Sequence, residues 1–146
     1  MQLGLPVRMI RKDLVPRCGP LGGIYTALKT SRSRAEMFLA CDMPFVSVCL
    51  LRRLFKFWEL RGGPVFMSTG RRPGFPFLLP VEALPQIEAQ IAKKEFSLQD
   101  LALGLEAGLL RARLEEKREL FNINTPADWR LAEERWRAGF ACKSGL

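Results

Sequence analysis

Histidine is absent from the 146 residues of this chain. The side chain that most often serves as a general base is therefore missing, and with it every Ser-His and Cys-His nucleophile pair. Zinc sites of the usual kind lose their imidazole ligands, and the four cysteines, Cys18, Cys41, Cys49 and Cys142, contain no CxxC pair to replace them. They are expected as reduced thiols, with Cys41 and Cys49 as small buried hydrophobes. Missing too is any run near the roughly 18 apolar residues that cross a bilayer, and the first residues lack the charged-then-apolar order of a signal peptide. A cytoplasmic location without a membrane partner is the default expectation.

Negative charge is scarce: 15 Asp and Glu stand against 23 Lys and Arg, a net charge of +8. Such a surplus suits nucleic acid, an acidic membrane surface or a phosphorylated small molecule. The basic residues fall in short groups such as Arg32-Ser33-Arg34, Arg52-Arg53 and Lys93-Lys94, with no sustained basic helix and no interleaved aromatic stripe. Nucleic acid is therefore not expected as a partner. Arg71-Arg72, in the loop before Gly74, is either a solvated charged turn or a guanidinium pair suited to phosphate.

What is present alternates between strand-like and helix-like segments. Leu3 to Ile10 suits a strand, placing Asp13 just past its end, and Ile24 to Lys29 has helical character. Phe45 to Leu60 suits an amphipathic helix, Val65–Thr69 and Phe75–Leu79 a hairpin-like pair of strands, and Glu82 to Lys94 a further helix. Ser97 is expected to cap a helix reaching about Ala107, and Leu109 to Glu116 continues as a short helix or a basic strand. Thr125-Pro126 opens a last helix through Ala138, on which Trp129 and Trp136 share one face as core contacts. The pattern implies one α/β domain over residues 1–138 with a tail at 139–146. Its architecture is a three-layer one, a mainly parallel sheet with helices on both faces.

Three segments carry chemistry. Phe38-Leu39-Ala40-Cys41 leads into Asp42 and a Met43-Pro44 break, which puts a carboxylate at the carboxyl end of a buried strand, where open α/β sheets bind ligands. Glu119 to Thr125 reads as a second such strand, in which Asn122 and Asn124, two apart, point to one face. The glycine-rich run Gly19-Pro20-Leu21-Gly22-Gly23 exposes backbone N–H groups at a helix start, for an anion or a sugar edge, or else is a plain tight turn; it matches neither GxGxxG nor the P-loop.

In this order and spacing, the Asp13 loop, Gly19-Pro20-Leu21-Gly22-Gly23, Cys41-Asp42-Met43-Pro44 and Asn122-Ile123-Asn124-Thr125-Pro126 resemble a molybdenum cofactor guanylyltransferase of the MobA type, from Leu3 to about Glu134. The resemblance implies a Rossmann-like fold of the nucleotide-diphospho-sugar transferase kind. It also implies transfer of GMP from GTP to molybdopterin, with Mg²⁺ as cofactor. Asp42 would then bind the metal and act in catalysis. Asp13 and the Gly19, Pro20, Leu21, Gly22 and Gly23 loop would contact the nucleotide, and Asn122 and Asn124 the pterin side. Molybdoenzymes or their chaperones are implied as partners. The family begins with a strand and a glycine-rich loop carrying arginine and lysine, and neither is found here. The expected consequences are an unpaired sheet edge open to self-association and little catalysis by this polypeptide alone. The alternative is a non-catalytic binding module that keeps the pterin-facing half.

Overall fold

Residues 10–139 are described by a computed structural model. The expected strand at Leu3 to Ile10, apart from its last residue, lies outside this range, as do Cys142 and most of the tail.

Helix α1 (Pro20–Thr30) starts where Gly19 takes φ 55° and Pro20 fixes the first turn. Strand β1 (Ala35–Phe38) follows. Helix α2 (Val48–Arg61) is capped by the Ser47 hydroxyl, which accepts from Leu50 N at 3.1 Å. Strands β2 (Val65–Thr69) and β3 (Arg72–Pro80) form the expected hairpin, joined by Gly70-Arg71. Gly70 sits at φ 70°, as the first central position of a two-residue hairpin turn requires. A 3₁₀ turn at Val81–Ala83 runs into α3 (Leu84–Ala92), and Ser97 caps α4 (Leu98–Gly104). Strand β4 (Gly108–Arg111), a 3₁₀ turn at Glu116–Arg118 and α5 (Pro126–Arg137) complete the order.

The sheet order is β1-β3-β2-β4. Strand β3 is antiparallel to both β1 and β2, and β2 is parallel to β4, so β1, β2 and β4 all point one way. The α/β class with helices on both faces holds, but the mainly parallel sheet becomes a mixed one with a single parallel pair among the described residues. The cause is local: the two-residue turn after Thr69 can only return the chain antiparallel.

Period-2 alternation assigns the two cores. Phe66, Phe77 and Leu79 pack with Leu21, Ile24 and Leu28 of α1, Ile87 of α3 and Leu101 of α4. On the other face Val65, Met67 and Leu78 meet Leu50 and Leu54 of α2 and Ala112. Central strands covered on both sides show unbroken burial rather than alternation, as residues 65–68 and 76–79 do.

Four further expectations are corrected. Strand β1 stops at Phe38, and Asp42 lies beyond it in a turn closed by Met43 N to Ala40 O at 3.4 Å. Residues 121–124 form no strand: Ile123 N donates to Asp42 O at 2.8 Å and Asn124 N to the Asp128 carboxylate at 3.1 Å, so the backbone is held by a turn and a helix cap. Cys41 and Cys49 are exposed, the first in that turn and the second on the outer side of α2, while Cys18 is buried. Trp129 and Trp136 are 57% and 61% exposed, because α5 meets the body through Ala132 and through Arg135, stacked 4.5 Å from the Phe121 ring. A seven-residue spacing shows that two side chains share a face, but not that the face turns inward.

Candidate functional site

The common direction of β1, β2 and β4 gathers the segments that follow them at one end of the sheet, the end where α/β folds place their sites. There the Asp42 turn, the β2–β3 hairpin and the 119–124 loop converge. The Ile123–Asp42 backbone bond joins the first and last of these directly.

Asp42 is half-buried, and its Oδ1 is shielded from solvent without a hydrogen-bond partner among the described residues. Burying a carboxylate oxygen unpaired is costly, so one with no partner among the described residues is a candidate to meet a ligand. A hard divalent cation supplies such a partner, since carboxylate oxygen is its preferred ligand. Among the described residues no cluster of three or more His, Cys, Asp or Glu exists, so the chain offers no closed metal cage. One carboxylate, with the remaining positions left to water and phosphate, is the pattern of magnesium in nucleotide sites. A lone carboxylate of this kind is compatible with a divalent cation that takes its remaining ligands from water and phosphate.

Beside this turn lies a cleft of about 240 Å³. Its apolar surface comes from Met43, Met67, Phe75, Leu98 and Leu120. Its polar groups are Thr69, Arg72, Gln99 and Asn122, and Gly74 contributes bare backbone. The volume is under the roughly 300 Å³ at which pockets for whole small-molecule ligands begin, which is room for a part of such a ligand, such as one ring system.

The sequence-predicted residues divide into two groups. Asn122 lines the cleft next to the Asp42 turn; Asn124 is exposed and does not line it, and its N–H belongs to the α5 cap. Asp13 and the Gly19–Gly23 run form a second group, which does not line the cleft. The Asp13 carboxylate stands over the first turn of α1, with Oδ2 3.3 Å from where a Cβ on Gly22 would lie and Oδ1 3.8 Å from that of Gly23. The positive end of the helix dipole is thus met by an internal anion. Asp13 is exposed, and a carboxylate accepts hydrogen bonds rather than donating them, so this turn does not have the chemistry of a phosphate cradle. The loop before α1 is tied down by Thr26 Oγ1, which accepts from Leu14 N at 2.9 Å and donates to Gly22 O at 2.8 Å.

Thr69, Gln99 and Gly74 gave no signal in the sequence. Each reaches the cleft through tertiary placement: Thr69 and Arg72 by pairing across the hairpin end, Gln99 by the start of α4. Of the Arg71-Arg72 pair, only Arg72 lines the cleft.

Residues 2–107 match the model of the MobA-like NTP transferase domain. A probable molybdenum cofactor guanylyltransferase of Flavobacterium johnsoniae is 36% identical over 114 residues, covering 77% of this chain and 60% of the relative. The molybdenum cofactor guanylyltransferase of Pseudomonas syringae pv. syringae is 36% identical over 129 residues, covering 82% and 60%. The crystal structure of molybdopterin-guanine dinucleotide biosynthesis protein A from Archaeoglobus fulgidus superposes with a TM-score of 0.70 at 25% identity, over 81% of this chain and 63% of that one. The chain thus spans about three fifths of the length of these curated relatives. No helix among the described residues is long and apolar enough to cross a membrane.

Proposed function

The chain belongs to the MobA-like NTP transferase domain family, and we propose that its site serves nucleotidyl transfer in molybdenum cofactor biosynthesis, moving GMP from GTP to molybdopterin with release of pyrophosphate. The observation that carries this reading is Asp42 Oδ1, buried and unpartnered at the carboxyl end of co-directed strands beside a cleft sized for a ring. In this reading Asp42 holds Mg²⁺, which when bound neutralises the charge of the triphosphate. Phosphoryl chemistry of this kind needs positioning and charge neutralisation more than a protein nucleophile, so a chain without histidine is no obstacle.

Asp13, with the Gly19–Gly23 turn behind it, takes hydrogen bonds from the donor groups of the nucleotide, its ribose hydroxyls or base N–H groups. Asn122 meets a polar edge of the pterin inside the cleft, and Asn124 lies outside that contact. The location this reading implies is the cytoplasm.

One observation favours a second reading, a non-catalytic module that keeps only the pterin-facing half. The glycine-rich turn at α1 is occupied by Asp13, so among the described residues it gives no free cradle for a triphosphate. The two readings separate on one experiment. The chain is titrated with GTP in the presence and absence of Mg²⁺, then supplied with molybdopterin and assayed for the dinucleotide. The enzymatic reading expects Mg²⁺-dependent GTP binding and product, both lost in Asp42→Asn; pterin binding with no response to Mg²⁺ or GTP overturns it in favour of the module.

A further inference from the structure

The cleft has one charged lining residue, Arg72, and no acidic one. Three other arginines are engaged elsewhere: Arg53 pairs with Glu116, Arg61 donates to Glu106 O at 3.1 Å and Arg135 stacks on Phe121. Arg72 makes no ion pair among the described residues. It opens β3, paired with Thr69 across the two-residue turn, so its backbone is fixed by the sheet while its guanidinium stays available. The topology sets it near Asp42. Phe38 pairs with Phe77, and the chain from Phe38 to Asp42 runs toward the end of β3 at which Arg72 stands; Met43, next to Asp42, lines the same cleft.

We infer that Arg72 binds the anionic group of the acceptor substrate, a phosphomonoester attached to a flat heterocycle, and so holds that group beside the Asp42 turn. The inference rests on the pterin reading of the cleft and adds to it the residue that selects a phosphorylated over an unphosphorylated ligand. The cleft supplies the rest of the recognition. Met43 and Met67 offer a soft apolar surface to a ring face, and Thr69, Gln99 and Asn122 offer hydrogen bonds to its edges. A guanidinium can bond two phosphate oxygens at once, which an ammonium cannot match in geometry.

Gly74 lines the cleft without a side chain. A Cβ built there meets no atom within 4 Å, and its φ lies outside the left-handed region, so a larger side chain is accepted there without a clash or backbone strain.

The test uses two fluorescent probes, 6-hydroxymethylpterin and its monophosphate, titrated against the full chain and its variants. The wild type is expected to bind the monophosphate more tightly. Arg72→Gln should weaken the monophosphate by about 10- to 100-fold, the loss of a charge-assisted hydrogen bond, while leaving the alcohol unchanged. Arg72→Lys should restore part of the preference, and Gly74→Val should weaken both probes. If Arg72→Gln keeps the wild-type preference, the assignment of Arg72 is overturned while the pterin reading stands. If neither probe binds the wild type, the pterin reading fails and the inference with it.

Discussion

Glu116→Ala is expected to loosen both the fold and the cleft, because one carboxylate holds the segment between them. Glu116 Oε2 accepts from the Arg53 guanidinium of α2 and from Arg113 N at 2.7 Å, and Arg53 also donates to Arg111 O at 3.0 Å. The side chains of Arg53 and Glu116 are 23% and 9% exposed. Removing one member of a fully buried pair costs about 3–5 kcal/mol, mainly because the other charge is stranded. Here Arg53 reaches water and keeps the Arg111 carbonyl, which lowers the expected cost to about 2–3 kcal/mol. With an m-value of about 2 kcal/mol/M the urea midpoint falls by about 1 to 1.5 M, followed by tryptophan fluorescence. A double-mutant cycle with Arg53→Met should show a coupling of about 1–2 kcal/mol. The same change frees residues 111–120, which lead from β4 to Leu120 and Asn122 of the cleft. Pterin affinity should therefore fall further in Glu116→Ala than in Ile87→Ala, a core truncation on the other sheet face in a helix that gives the cleft no residue, compared where both remain folded. A stability loss under about 0.5 kcal/mol, or zero coupling, refutes the reasoning, since exposed pairs behave that way.

The other predictions concern helix starts. Gly22→Ala places a Cβ 2.8 Å from Val15 O, a backbone atom that cannot swing aside, so the α1 start must shift at a cost of about 1–3 kcal/mol; a thermal melt checks this, and an unchanged melting temperature contradicts the close approach. Thr125→Ala removes the hydroxyl that accepts from Asp128 N at 3.1 Å and should cost about 1 kcal/mol in a urea titration at neutral pH. Asp128 has its pKa lowered, first by the Thr125 hydroxyl and then by the Asn124 N–H. A carboxyl lowered in the folded state stabilises above its unfolded pKa of about 3.9 and loses that contribution as pH falls through the folded value. The gap between wild type and Asp128→Asn should therefore be present at pH 6 and close on acidification below about pH 4. A gap that is constant across this range excludes the capping carboxylate as its cause.

The sequence announced elements through local chemistry and failed where an outcome depended on distant partners. Ser97 and Thr125 sit where a cap can be recognised from the residues alone, and each opens its helix in the structure, whereas the helix expected from Phe45 starts only after Ser47, which caps it. The hairpin was visible for the same reason, as glycines between two apolar runs, although the turn is only Gly70-Arg71 and the second strand starts at Arg72 rather than Phe75. The pairing of β1 was not: the run from Phe38 to Asp42 has the composition of a strand throughout, yet β3 pairs it only as far as Phe38, and the Ala40–Met43 turn takes the rest. Asn122 and Asn124 show the limit most clearly. Their spacing assigns them to one face only if the backbone is extended and paired, and no strand is there to pair it. The Asp42 carbonyl and the Asp128 carboxylate take the neighbouring N–H groups instead, separating a cleft residue from a cap residue two positions away. Gln99 carried no signal in the sequence, and the Arg71-Arg72 pair left a solvated turn and a phosphate contact both open; only the sheet end brings Arg72 and Gln99 to one cleft. A motif thus located the Asp42 turn and one asparagine, while the surface that would choose between ligands was set by β3 and α4, which carry no motif.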